Sequence, residues 1–305
     1  MIISPGFIGI DVSKDHLDIF DGISRQIANS AEAIAAYLGG LSAPQLVLLE
    51  ATGHYDRELR RQMQAAGMRF ARVNPARARA FAHATGRLAK TDAIDAQLLA
   101  AMAQALNPAP HEPADQERQD LADLHRRRAQ MVAARQQERT RLPTASALIA
   151  PSIVSHIDWL DQKIEALDIS ISELIDRSAV LKPAGRLLRS IPGIGPVAAT
   201  ALLALMPELG HRTGKAIAAL AGLAPMNRDS GQYRGQRTIS GGRAEVRRAL
   251  YMAAVTAIRS DTALAAGFRN LTARGKPPKL ALIAVARKIA VIANAIIKTN
   301  QPFKP

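Results

Sequence analysis

The sequence predicts an α/β domain at residues 1–107, a linker with helical coiled-coil segments at 108–180, and a basic, mostly α-helical domain at 181–305. Three observations predict this. Short β-branched runs alternate with capped helical stretches as far as Pro108. Apolar residues then recur at intervals of three and four from Ile157 to Leu174. Beyond residue 181, apolar helical runs are separated by glycine-rich turns and many arginines.

In the first domain, "FIGID" (7–11), "LDIFD" (17–21) and "RQIAN" (25–29) read as a three-stranded antiparallel meander, with turns such as Asp21-Gly22 between them. Ser30 caps a helix over "AEAIAAYLGGL" that Gly39-Gly40 ends. "QLVLLE" (45–50) is a continuous apolar run, as expected of a strand buried on both faces. A helix over about 54–66 closes at Gly67, "MRFARV" (68–73) is another strand, and a helical stretch runs to His83. Thr91 is placed to cap "DAIDAQLLAAMAQAL", which Asn107-Pro108 ends. The strand-helix order is read as βββαβαβα.

The 305 residues are 48% hydrophobic, enough for two or three domains with cores of their own. Cysteine is absent, which excludes disulfides, thiolate zinc sites and cysteine nucleophiles. "MIISPGFIGID" lacks a basic leader, and charges interrupt the long apolar runs, so no secretory signal, no membrane partner and a cytoplasmic protein are expected. The formal net charge is +14, unevenly placed. Residues 181–305 hold 20 Lys and Arg against 4 Asp and Glu, whereas residues 1–180 hold 20 against 22. So strong a bias toward the C-terminal part points to a polyanion partner there.

Acidic residues punctuate the first domain. Asp11 ends the first strand, Glu50 ends the fourth, and Asp92 and Asp95 open the last helix with a spacing that puts both on one face. Singly they read blandly: Asp92 as a charge favoured by the helix dipole, Asp95 as part of a solvated face. Four carboxylates at one sheet edge, however, repel one another unless a cation joins them. Their hard oxygen donors suit Mg²⁺ or Mn²⁺ and not zinc. Two such ions about 3.5–4 Å apart clamp the attacking and leaving oxygens of a phosphate.

In the middle, "PAPHEPADQER" (108–118) reads as a linker and a long helix follows to Pro143. Ile157, Leu160, Ile164, Leu167, Ile171 and Leu174 form a 3-4-3-4-3 seam, which an intrachain helical hairpin or an intersubunit coiled coil satisfies equally. The run His125-Arg126-Arg127-Arg128 suits either nucleic-acid contact or a solvated face.

In the basic domain, "IPGIGPVAATALLALMPELG" (191–210) is helix-hairpin-helix-like. Gly193 and Gly195 make the turn and Pro196 starts the second helix, an arrangement that binds phosphate through backbone N–H groups or serves as a plain αα corner. Arg228, Arg234, Arg237, Arg243, Arg247 and Arg248 crowd into 21 residues around "PMNRDSGQYRG" (225–235), which reads as a loop. Gly241-Gly242 precedes a helix beginning near Arg243. Salt-sensitive nucleic-acid binding follows. Within the loop, Ser230 and Tyr233 are both candidate nucleophiles toward a phosphate, with Arg228 and Arg234 placed to stabilise developing charge.

"GIDVSKDHLDIF", "LLEATGHY", "RVNPARARAFA" and "KTDAIDAQLLA", with "AGLAP…RDSGQYRG…ISGGRAEVRRALYMAA" downstream, resemble the DEDD transposases of bacterial insertion-sequence family one-hundred-and-ten, the Piv invertase-like recombinases, over nearly the whole chain. Where relatives often carry lysine-glycine-asparagine, this chain has Ser240-Gly241-Gly242. The resemblance implies a RuvC-like ribonuclease H fold at the N-terminus, Mg²⁺ held by Asp11, Glu50, Asp92 and Asp95, and Ser230 as the nucleophile in preference to Tyr233. It also implies DNA partners (element ends and target), a noncoding guide (bridge) RNA, and a homo-dimer or homo-tetramer. The rival classes are a RuvC-type endonuclease using metal-activated water and a non-catalytic nucleic-acid-binding protein.

Overall fold

A computed structural model describes residues 6–42, 44–51, 55–86, 92–110, 115–226, 229–230, 233–234, 238–259 and 262–304. For residues 92–94, 226, 229–230 and 233–234 the description extends to the backbone alone. The chain forms two compact units, Met1–Pro113 and Ala114–Pro305.

The first unit is built on one mixed sheet. Its strands are β1 (Phe7–Val12), β2 (His16–Phe20), β3 (Ser24–Ala28), β4 (Leu46–Glu50) and β5 (Phe70–Val73), in the spatial order β3-β2-β1-β4-β5. The first three form the expected antiparallel meander, while β4 and β5 add in parallel on the other side of β1. Parallel addition requires crossovers, which α1 (Ala31–Gly39) and α2 (Arg57–Ala65) supply. Ser30 caps α1 as expected, its side chain accepting from the Ala33 N–H at 3.3 Å. Two helices, α3 (Pro75–Ala84) and α4 (Asp92–Leu106), follow β5, so the order is βββαβαβαα. The predicted Thr91 cap lies outside the described residues.

Side chains alternate across this sheet. Ile8, Ile10 and Val12 of β1 join Val47 and Leu49 of β4 in one core with Ile34, Leu59 and Met63 of α1 and α2. Phe7 joins Leu46 and Leu48 in the opposite core with Leu99, Met102 and Ala103 of α4. Asp56, just before α2, is fully buried. Arg72 Nε lies 2.7 Å and Arg60 Nε 3.2 Å from its carboxylate oxygens, so the charge is paired between β5 and α2. Removing one partner of a buried pair strands the other charges. Asp56→Ala is therefore expected to lower unfolding free energy by about 3–5 kcal/mol. Urea denaturation followed by circular dichroism measures this, and a loss below ~1 kcal/mol would contradict the pairing.

The second unit opens with an antiparallel helical hairpin of α5 (Gln116–Arg141) and α6 (Ala150–Arg177), joined by a 3₁₀ turn at Leu142–Thr144 and a short connection. Asp115 caps α5 by accepting from the Glu117 N–H, so this helix begins inside the segment read as linker. Of the seam residues, Ile157, Leu160, Ile164, Ile171 and Leu174 are buried, and Leu167 partly so. They pack within the chain, with Met131 of α5 on Leu160 and Ile164, and Leu121 and Ala122 near Ile171 and Leu174. Arg128–Asp168 and Arg135–Asp161 ion pairs, across the two helices, fix the antiparallel register. The 125–128 run is correspondingly engaged. His125 is buried, Arg126 pairs with Asp123, Arg127 donates to Gln130, and Arg128 pairs with Asp168.

The remaining helices, α7 (Leu181–Arg189), α8 (Pro196–Leu205), α9 (Gly214–Leu220), α10 (Ala244–Ala257), α11 (Ala263–Ala273) and α12 (Pro278–Thr299), share one large core. By length and composition alone α12 could cross a membrane, although Arg287 and Lys288 interrupt its apolar run. Its apolar stripe, Val285, Ala286, Ile289, Ala290, Ala293 and Ile296, is instead buried in that core. The segment read as a loop carries four two-residue strands. β6 (Pro225–Met226) pairs with β9 (Thr238–Ile239), and β7 (Asp229–Ser230) pairs with β8 (Tyr233–Arg234), both antiparallel. Gly231-Gln232 joins β7 to β8.

Candidate active site and nucleic-acid interface

The sheet register brings two of the predicted carboxylates to adjoining positions. β1 and β4 are parallel neighbours with Ile10 opposite Leu49, so Asp11 and Glu50 each stand one residue beyond the last pair, at the C-terminal ends of their strands. By alternation Asp11 shares the face of Phe7 and Gly9, and Glu50 that of Leu46 and Leu48. That is the face α4 covers. Both carboxylates are half-buried, and the Val12 N–H donates to Asp11 Oδ1 at 3.0 Å.

Gly9 sets the distance of α4 from the sheet. A Cβ at this position would lie 2.0 Å from the Ala96 carbonyl oxygen and 2.4 Å from the Ala100 nitrogen. Asp95 precedes Leu99 by four residues, about one helical turn, and so continues the sheet-facing stripe toward the end where Asp11 lies, and Asp92 opens the same helix. Asp95 is half-buried, and the Asp92 side chain falls outside the described residues. Among the described residues, no three His, Asp or Glu side chains gather round one point as a ready-made metal site. The oxygen-only donor set nevertheless fits a hard divalent cation.

A fifth carboxylate escaped the sequence reading. Asp18 on β2 pairs directly with Asp11 across the antiparallel ladder and is only 8% exposed. Gln26 Nε2 donates to it at 2.9 Å, and His16 Nε2 stands 3.3 Å away. Like charges directly opposed in a sheet are destabilising, so these two contacts hold Asp18 beside Asp11 at some cost. The signal was present in "HLDIF", where His16 and Asp18 occupy one face and Leu17 and Ile19 the other.

In the second unit, Ser230 lies on β7 directly opposite Tyr233 on β8, and Asp229 lies opposite Arg234. Arg228 and Arg237 lie outside the described residues. Arg243 makes a two-pronged contact with Glu208, both distances 2.6 Å, so its guanidinium is already committed. Burial opposes ionisation of Glu208, but its Arg243 contacts prevail and hold its carboxyl below the usual range. Arg247 donates to the Gly241 carbonyl at 2.7 Å, and Arg248 is exposed on α10. The Gly241-Gly242 turn docks on Gly222. A Cβ on Gly242 would lie 2.2 Å from the Gly222 nitrogen, and both glycines have positive φ. Side chains are excluded twice over at this contact.

The turn between α7 and α8 holds Gly193 and Gly195, with Pro196 at the first turn of α8 as expected. Gly193 packs against the α10 backbone at Ala253 and Ala257, while Gly195 is exposed.

An acid-edged α/β unit followed by a basic helical unit has counterparts among known proteins. A family model described as a transposase, of the DEDD IS110 type, matches residues 8–148. A second, described as "Transposase IS116/IS110/IS902 family", matches residues 185–269. The pilin gene-inverting proteins of Moraxella lacunata and Moraxella bovis are each 29% identical over 316 residues, covering 98% of this chain and 98% of their own. An insertion element IS110 uncharacterized 43.6 kDa protein of Streptomyces coelicolor is 28% identical over 153 residues, covering 50% of this chain and 37% of its own. These matches make the protein a DNA transposase or recombinase, an enzyme of strand breakage and rejoining. The two family models, which together span most of the chain, and the pilin gene-inverting relatives support an IS110-family DEDD transposase.

Proposed function

We propose that this protein cuts and rejoins DNA through a covalent phosphoserine intermediate, with Ser230 as nucleophile and Asp11, Glu50, Asp92 and Asp95 as the ligands of Mg²⁺. The carrying observation is the placement of Asp11 and Glu50 at the ends of adjacent parallel strands, on the face covered by α4. The strand order β3-β2-β1-β4-β5 supports a RuvC-like ribonuclease H fold for this unit.

A divalent cation at these carboxylates supplies charge stabilisation at the scissile phosphate. The Ser230 hydroxyl oxygen forms a bond to phosphorus, and the bond from phosphorus to the 3′ oxygen breaks. The hydroxyl proton is lost as the departing oxygen gains one, leaving a phosphoserine link and a free 3′-hydroxyl. Attack by the 3′-hydroxyl of a new partner strand reverses these steps. The phosphoester count is conserved, so no ATP is consumed. Arg234 and Arg248 serve phosphate contacts, and Arg228 and Arg237 belong to the same basic segment. Arg247 and Arg243 shape it, the first at the Gly241 carbonyl and the second at Glu208. Backbone groups near Gly193 and Gly195 meet the DNA backbone. A noncoding guide RNA selects the sites, and a homo-dimer or homo-tetramer joins the ends. By analogy with the pilin gene-inverting relatives, inversion of a DNA segment is a reaction open to the same chemistry.

The test is incubation of the full chain with element-end DNA, guide RNA and Mg²⁺, followed by denaturing electrophoresis. Wild type is expected to yield a protein–DNA adduct that EDTA prevents. Asp11→Asn, which keeps the shape and removes the charge, is expected to reduce adduct by roughly a hundredfold or more. Undiminished adduct from Asp11→Asn would overturn the metal-site assignment, and no adduct from wild type would overturn the covalent reading.

A further inference from the structure

The second unit contains a cavity of about 810 Å³ bounded by α5, α6, α7 and α8, well apart in sequence from the Ser230 hairpin. Four fixed cations and two carboxylates line it. Both carboxylates are already paired, Asp168 with Arg128 and Asp176 with Lys182. Arg186 and Arg189 remain. They are exposed, three residues apart on α7, and among the described residues no carboxylate pairs with either. The cavity thus has two uncompensated guanidinium groups at its rim, the geometry that favours phosphate oxygens.

Its interior is of another character. Ile171, Ile175, Val197 and Leu203 contribute apolar wall, and Val197 is 45% exposed despite its apolar side chain. His125 lines the same space, is only 8% exposed, and has a buried Nδ1 with no hydrogen-bond partner. Desolvation, with Arg128 and Arg126 nearby, pushes its pKa down despite Glu245, so the ring is neutral at pH 7. Nδ1 touches no solvent-sized space, so the ring meets the cavity through its other atoms and contributes wall rather than a hydrogen bond. Cationic rim and apolar wall match two parts of a nucleotide, its phosphate and its base face.

We propose that this cavity receives one nucleotide turned out of a single-stranded nucleic acid. Arg186 and Arg189 hold its phosphate, and the apolar wall takes the base. The inference rests on the reading of this protein as one that handles nucleic acid, and adds a second site to it, distinct from the cleavage site.

The test uses the full chain and two labelled probes, a single-stranded RNA and a DNA of the same sequence, read by fluorescence anisotropy at fixed salt. Arg186→Ala/Arg189→Ala removes only exposed side chains. Val197→Trp fills the cavity mouth without changing charge. Each variant is expected to weaken binding about tenfold, the scale of losing one stacked base. A 2-aminopurine base in the probe should brighten on wild-type binding as it leaves its stack, and should not brighten with Val197→Trp. Loss confined to the RNA arm assigns the site to RNA, and loss confined to the DNA arm assigns it to a DNA strand. Wild-type affinity and brightening in both variants on both probes would overturn the inference alone. Failure of wild type to bind either probe would overturn it together with the reading beneath it.

Discussion

Replacing Ser230 with alanine is expected to abolish the covalent protein–DNA adduct while leaving DNA affinity within about twofold of wild type, since one neutral hydroxyl contributes little to binding that is mostly electrostatic. Tyr233→Phe is the necessary companion. Ser230 and Tyr233 occupy directly opposed positions of the β7–β8 pair. The register treats the two residues alike, and the choice of Ser230 rests on the family's motif. Tyr233→Phe removes only the hydroxyl and is expected to retain the adduct. The reverse pattern, adduct from Ser230→Ala but none from Tyr233→Phe, would make tyrosine the nucleophile. Strand cleavage by Ser230→Ala without any adduct would instead indicate a nuclease that uses water. Denaturing electrophoresis with end-labelled DNA separates all three results.

Much of the first unit was legible in the sequence because its cues are local. Short β-branched runs separated by turns mark β1 and β2, Ser30 supplies its cap bond to α1, and the uninterrupted run of 46–49 marks a strand covered on both faces. The carboxylate pair at Asp11 and Glu50 was legible for the same reason, since each simply ends an apolar strand. What the sequence withheld depends on long-range partners. The seam from Ile157 to Leu174 states that a face is buried, not what buries it. The answer lies in Met131 and Leu121 of α5, some 30 to 50 residues away in a helix whose composition reads as polar. Arg126 is taken by Asp123, three residues earlier on the same helix, but the Asp168 that takes Arg128 is known only once the two helices pair, so the run read equally as nucleic-acid contact or a solvated face. Arg243 is the same case, taken by Glu208 from 35 residues upstream. Asp18 was overlooked because its importance comes from the cross-strand register that sets it against Asp11. The cavity beside His125 is assembled from four helices, and no stretch of sequence contains it.

Gly9→Ala is expected to destabilise the first unit and to silence strand cleavage together, although the substitution adds one methyl group and removes no functional group. At most sheet positions an added Cβ meets flexible side chains that can turn aside. At Gly9 it would meet the backbone of α4, 2.0 Å from the Ala96 oxygen and 2.4 Å from the Ala100 nitrogen. Backbone atoms of a helix do not yield singly, so α4 must lift from the sheet as a body. Overpacking of this kind typically costs about 1–3 kcal/mol, and the contact at Gly9 belongs at the upper end. The same displacement carries Asp92 and Asp95, one turn from Ala96 and Leu99, away from the strand ends that hold Asp11 and Glu50. A misplacement of roughly 1 Å in a catalytic constellation costs on the order of a hundredfold in rate. Gly39→Ala is the matched control. A Cβ there meets nothing within 4 Å and φ is not positive, so it should leave stability unchanged or raise it by about 0.4–1 kcal/mol. Urea unfolding and adduct yield, measured on both variants, decide the matter. A Gly9→Ala protein as stable and as active as Gly39→Ala would show that α4 does not seat on β1 through this glycine, and the argument that gathers the four carboxylates at one edge would lose its geometric support.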